Sequence, residues 1–175
     1  IVDMLDEYDI ITHVFNPKQN GILDKGHIKD CVYQAIEKGI ILDLGHGTDS
    51  FSFETAKIAF QNGIKVNTIS SDIYFKNRIN GPVYDLATTM NKMLYIGYSL
   101  AEVIRCVTVN ASKALHLDHL GSIEVGKTAD FTVFHICPQD IELTDSLHQK
   151  VTMCHYLKPD YTIVKNHLYQ IEEDK

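Results

Sequence analysis

Apolar positions along the first two-thirds of the chain alternate between a helical period and short continuous runs. The opening stretch "IVDMLDEYD" reads as an amphipathic helix. "DIITHVF" follows as a β-branched run of buried-strand character that ends at His13. A loop rich in Pro, Asn and Gly, Asn16 to Gly26, has turn chemistry at Asn20-Gly21. "HIKDCVYQAIEKG" then sets Ile28, Val32 and Ile36 on one helical face, with Gly39 as C-cap. "IILDL" predicts a second strand, closed by Gly45-His46-Gly47. "FETAKIAFQNG" predicts a helix stopping at Asn62-Gly63, and "IKVNTIS" a third strand running into Ser70-Ser71-Asp72.

This helix-β-α-β-α-β order has the connection lengths of a parallel sheet, and the strands read as apolar on both faces. The fold class is α/β, as a (β/α) barrel or an open doubly wound sheet. No G-x-G-x-x-G follows a strand, which weakens the dinucleotide-binding version. Beyond Asp72, "GPVYDLATTMNKMLYIG" and "SLAEVIRCV" are helical, the second opened by a Ser99-x-x-Glu102 capping box. Asn110 is placed to N-cap a further short helix, "ASKALHL". From Gly121 the pattern turns to β: "GSIEV", "ADFTVFHI" and "DYTIVKNHLYQ", with turns at Gly126-Lys127 and near Lys165-Asn166. The change predicts a boundary near Leu117, separating residues 1–117 from 118–175.

Composition narrows the function classes. The chain has 175 residues, and 16 Lys+Arg against 23 Asp+Glu leave a net charge of -7, which argues against a nucleic-acid surface. No apolar run approaches the ~20 residues of a membrane span, and no signal peptide is visible. Cys31, Cys106, Cys137 and Cys154 form no C-x-x-C pair, so reduced thiols and a cytoplasmic setting are expected. The chain begins at Ile1, inside an expected helix, which reads as a segment of a longer protein.

Chemistry in parallel α/β folds gathers at the C-terminal ends of strands. All three strands carry an ionisable residue there: His13, His46 and Asp72. Two imidazoles and a carboxylate on one rim can bind a divalent metal. Taken singly, each also reads as a hydrogen-bonded loop residue or a cap. His27 reads as a solvated helix cap, and His116, His119, His135, His148, His155 and His167 lack ligand spacing. Neither a G-x-S-x-G elbow nor a P-loop is present.

The phrases "DIITHVFN", "ILDLGHGTDSFSF", "NTISSDIY", "GPVYDLATTMNKMLYIGYSLAEVIRCVTVNASKALHL" and "GSIEVGKTADFTVF" together resemble the C-terminal half of an amidohydrolase-superfamily metalloenzyme. The nearest branch is the amidohydrolase/deacetylase group, relatives of dihydroorotase. The resemblance implies strands 6–8 of a TIM-type (β/α)8 barrel over residues 1–117 and part of a small β-sandwich over 118–175. It implies His13 and Asp72 as metal ligands, with Asp72 also the catalytic acid/base. His46, Gly47 and Arg78 become substrate-binding candidates, His46 alternatively as outer-shell support, with Tyr74 and Asn80 beside them. The cofactor implied is Zn²⁺, one or two ions, with a carboxylated lysine and the remaining ligands outside this segment. Two small departures are Ala111, where relatives often have Pro, and Lys165-Asn166-His167 in place of an Asn-Gly turn.

The activity so implied is metal-dependent hydrolysis of an amide or ester, with deacetylation of a small acylated compound the most specific form. The segment alone is expected to be inactive, because two ligands do not satisfy a metal. Competing readings are a non-catalytic truncated module and an α/β binding domain. The partner expected is a small-molecule acylated substrate, with neither nucleic acid nor membrane, and a homo-oligomer is compatible with the sequence.

Overall fold

A computed structural model of the chain describes residues 1–171. Three parallel strands stand side by side at its centre. β1 (Ile10–Ile11) pairs in parallel with β4 (Ile41–Leu42), Ile10 opposite Ile41 and Ile11 opposite Leu42. The third strand, residues 66–70, lies on the other side of β4. Among the described residues its one ladder bridge is Asp43 to Thr68, but the backbone bonds continue upward, Leu44 N to Thr68 O and His46 N to Ser70 O, both 3.1 Å. The α/β class and its strand order are therefore as the periodicity implies.

Between β1 and β4 lie a small antiparallel hairpin, β2 (Leu23–Asp24) and β3 (His27–Ile28), and helix α1 (Asp30–Glu37). Gly39 follows α1 with φ +78, the left-handed exit expected of it. The buried face of α1 is Val32 and Ala35 rather than the expected Ile28/Val32/Ile36 row. Ile28 is taken up by β3 and Ile36 is 42% exposed. His27, expected as a helix cap, lies in β3, and Lys29 precedes the helix.

Helix α2 (Phe53–Gln61) is capped by Ser52, whose Oγ accepts from Thr55 N, and buries Phe53, Ala56 and Ala59. α3 (Phe75–Asn80), α4 (Leu86–Ile96), α5 (Leu100–Val107) and α6 (Val109–Ala114) follow. The capping box on α5 is present in both directions, Ser99 Oγ accepting from Glu102 N and Glu102 Oε2 from Ser99 N. Asn110 does not cap α6. Thr108 holds that place, and the Asn110 amide donates to Asn67 O, tying α6 to the third strand.

Two sequence expectations fail for lack of a partner. "IVDMLDEYD" forms only a short 3₁₀ turn, Val2–Met4, with Ile1 and Met4 exposed; an amphipathic face folds into a helix only when something covers it. "GSIEV" forms no strand, and Ile123 and Val125 are exposed with no ladder beside them. The later strands do form. β5 (Phe131–Cys137), β8 (Tyr156–Val164) and β9 (His167–Gln170) make one antiparallel sheet in the order β5-β8-β9, with β8 turning into β9 at Lys165-Asn166. β6 (Ile141–Thr144) and β7 (Lys150–Met153) form a separate hairpin.

The hydrophobic core runs across Leu117 without a break. Leu143 and Leu157 are buried in the same cluster as Val14, Leu44, Phe51, Met93 and Val103. Polar anchors reinforce this. The Asn91 side chain on α4 bonds both backbone groups of Leu157, donating to O at 2.9 Å and accepting from N at 2.8 Å. Asp145, at the tip of the β6–β7 hairpin, accepts from Phe53 N at the start of α2 (3.0 Å), and Ser146 exchanges bonds with the Phe51 backbone.

Candidate functional site

The C-terminal ends of the three parallel strands meet over the Gly45-His46-Gly47 turn. His13 and Asp72 arrive from the strands on either side of β4, both in the left-handed region at φ 61 and 48. Their side chains face each other above the turn, His13 Nε2 4.0 Å from Asp72 Oδ2, both partly exposed. The two glycines make that approach possible. A Cβ on Gly47 would sit 2.6 Å from Asp72 Oδ2. One on Gly45 would strike Thr12 Oγ1 and sit 2.7 Å from His13 Nδ1. Each glycine also has a positive φ, 49 and 54, which only glycine adopts without strain.

His13 has its tautomer fixed by the same turn. Its Nδ1–H donates to Gly45 O at 2.5 Å, leaving Nε2 as the lone-pair nitrogen directed toward Asp72. Asp72 is held through its backbone: Gly47 N donates to Ser71 O, and the Asn77 amide donates to Asp72 O at 3.1 Å. Asn77, fully enclosed at the start of α3, also accepts from Tyr74 N at 2.9 Å. The Tyr74 and Thr48 hydroxyls are bonded at 2.9 Å, closing one side of the mouth.

His46, expected as a substrate contact or as outer-shell support, is 0% exposed and stacked on Phe51 at 4.7 Å, with both ring nitrogens engaged, a placement that fits support rather than contact. Nδ1–H donates to Gly47 O, and Nε2 accepts from Lys92 Nζ, both at 2.7 Å. Burial, reinforced by the neighbouring Lys92, pushes its pKa down to about 3, so the ring is neutral at ordinary pH. Lys92 is equally enclosed on α4 and donates also to Pro82 O at 2.7 Å; burial brings its pKa down to about 7. The His46–Lys92 pair therefore works beneath the rim, as the anchor of the glycine turn. Gly47 is likewise buried, its α-carbon against the Asp72 carboxylate, and Arg78 is exposed on α3.

Sequence reasoning missed Lys92, Asn77 and Asp43. The signal for two of them was present: Lys92 is the one charged residue within helix α4, and Asp43 is the one acid inside an apolar strand. Among the described residues no three His, Cys, Asp or Glu side chains converge as a complete metal site. The remaining histidines lie apart from the pair, His135 for instance bonding Asp160 at 2.9 Å on the antiparallel sheet.

The amidohydrolase family model matches residues 4–166. A protein from Enterococcus faecalis named deacetylase is 44% identical over 171 residues, covering 97% of this chain and 46% of that protein. A crystal structure described as an adenine deaminase superposes with a TM-score of 0.94 at 44% identity, covering 97% of this chain and 47% of that one. A crystal structure described as a dihydroorotase superposes with a TM-score of 0.85 at 34% identity, covering 97% and 44%. The chain thus spans somewhat less than half the length of these relatives.

Proposed function

Because the chain belongs to the amidohydrolase family, we propose that it is the C-terminal part of a metal-dependent hydrolase, in which His13 and Asp72 are metal ligands and Asp72 is the catalytic acid/base. The observation that carries the reading is the facing pair itself, an imidazole nitrogen and a carboxylate oxygen 4.0 Å apart above a turn whose two glycines leave them room. The donor set, an imidazole nitrogen and a carboxylate oxygen, is one that suits a divalent ion of the zinc type. Two ligands are fewer than a divalent ion requires, so the rest come from sequence outside this segment, which is inactive by itself. Residues 1–117 are then the last three strand–helix units of a TIM-type barrel, and residues 118–175 part of a β-sandwich.

A divalent ion of the zinc type, when bound, supplies Lewis acidity toward a carbonyl. Asp72 has the second carboxylate oxygen needed to accept a proton from an attacking water and return it to the leaving group. His13 presents Nε2 in one tautomer because Gly45 O takes the Nδ1 proton, so no reorganisation is needed before binding. The substrate on this reading is a small acylated compound. Deacetylation is the form the named deacetylase relative supports. The four cysteines are unpaired, which suits a reducing compartment, and we place the protein in the cytoplasm on that ground.

The test uses the natural full-length protein. Elemental analysis is expected to find one or two equivalents of divalent metal, and a panel of acetylated amino and hydroxy compounds to reveal turnover. Asp72→Asn is expected to lower turnover by about 10²–10⁴-fold with the fold intact. Unchanged turnover in that variant, or a wild-type protein without metal, refutes the assignment.

A further inference from the structure

Asp43 lies just below the site and is used by nothing described so far. It is 7% exposed, on a strand whose neighbours Leu42 and Leu44 are core residues. Its carboxylate accepts three hydroxyl bonds. Thr12 Oγ1 and Ser70 Oγ donate to Oδ2 at 2.7 and 2.6 Å, and Thr68 Oγ1 donates to Oδ1 at 2.7 Å. Among the described residues it takes part in no ion pair. These short bonds to an anion replace the lost hydration.

The donors are placed with respect to the site. Thr12 immediately precedes His13, and Ser70 comes two residues before Asp72. Backbone bonds reach past this height, His46 N to Ser70 O and Gly47 N to Ser71 O, but His13 and Asp72 themselves turn into the left-handed region. One carboxylate oxygen that holds a hydroxyl from each flanking strand adds a direct tie between the two strands just before they turn. An apolar residue at position 43 would leave the Thr12, Thr68 and Ser70 hydroxyls without this shared acceptor.

We propose that Asp43 is a positioning residue, a three-hydroxyl clamp that sets the spacing of His13 and Asp72 for a divalent ion. The proposal rests on the metallohydrolase reading above. The experiment measures Zn²⁺ affinity of the natural full-length protein by chelator competition, together with the melting temperature of the metal-free form. Asp43→Ala is expected to weaken Zn²⁺ binding by about 10–100-fold, as loss of an outer support of a ligand does. Asp43→Asn is expected to recover part of that loss, because its amide oxygen still accepts from a hydroxyl. Thr12→Val, which removes one hydroxyl at constant shape, is expected to weaken binding several-fold and serves if Asp43→Ala does not fold. A purely structural role would lower the melting temperature and leave the affinity of the folded protein unchanged. Affinity within twofold of wild type in Asp43→Ala, or in Thr12→Val where the former is unfolded, overturns the proposal. A wild-type protein that binds no Zn²⁺ overturns the parent reading, and that result is seen before any variant is made.

Discussion

Replacing Lys92 by Met tests whether the amine beneath the glycine turn is neutral in the folded protein at alkaline pH. Lys92 has no solvent exposure, and burial lowers its pKa from 10.5 to about 7, with the Asp145 and Asp85 carboxylates partly opposing the shift. In the unfolded chain the amine stays protonated to near 10.5. From pH 7 up to that value the unfolded state therefore binds more protons, and stability rises with pH. One proton corresponds to about 1.4 kcal/mol per pH unit; with the folded amine half-protonated at pH 7, the gain to pH 8.5 is about 1.6 kcal/mol. The Cys106 thiol, pushed up to about 11 by burial, acts in the opposite sense once the unfolded thiol ionises, so the window closes at about pH 8.5. Met keeps the stem but leaves His46 Nε2 and Pro82 O without a donor. That is a pH-independent cost of about 1–3 kcal/mol for each group, offset in part because no amine is desolvated. Urea unfolding of both proteins at about pH 7 and 8.5 separates the terms. Wild type is expected to gain on the variant by about 1.6 kcal/mol across the interval. Equal slopes would show that Lys92 keeps its proton and would refute the reasoning.

The remaining predictions probe other contacts. Gly47→Ala is expected to abolish metal retention and turnover while costing about 1–3 kcal/mol of stability, because a Cβ there meets Asp72 Oδ2 on a backbone of positive φ. Metal content and urea midpoint report the two effects separately. Asn91→Ala is expected to destabilise by about 2–4 kcal/mol, since Leu157 N–H and C=O both lose their partner in the core, and denaturant unfolding measures it. On acidification, His46 loses part of its contribution between its unfolded value of 6.5 and about 3. Its folded pKa is depressed, so the unfolded state takes up the proton there and stability falls with falling pH. His46→Gln is expected to flatten that limb of the pH–stability curve.

The α/β class, the strand order and the capping box of α5 were legible because they depend on local period and local hydrogen bonds. Ser99 and Glu102 meet three residues apart, and any chain folding nearby would satisfy them in the same way. What depends on a distant partner was not legible. Among the described residues, the period-3.6 pattern of residues 1–9 leaves Ile1 and Met4 uncovered and "GSIEV" pairs with no strand, so neither forms the expected element. The juxtaposition of His13 and Asp72 follows from strand order and could be read from the sequence. The burial of His46 could not, because it is set by Lys92, 46 residues away on α4. A histidine between glycines looks the same in sequence whether its ring turns up toward a ligand or down onto Phe51.

The docking of the β6–β7 hairpin onto the start of α2 has a consequence for the life of the chain on the ribosome. Phe53 N waits for a carboxylate 92 residues later, Phe51 for a serine 95 residues later, and Leu157 enters the core through Asn91. The segment bearing Gly45-His46-Gly47 is synthesised before the residues that close over it. Until about residue 157 has emerged, Phe51, Phe53 and the Lys92 amine lack their cover and stay open to water and to chaperones. A truncation just after α6 would leave every prospective site residue in place and yet remove what seats the turn beneath them.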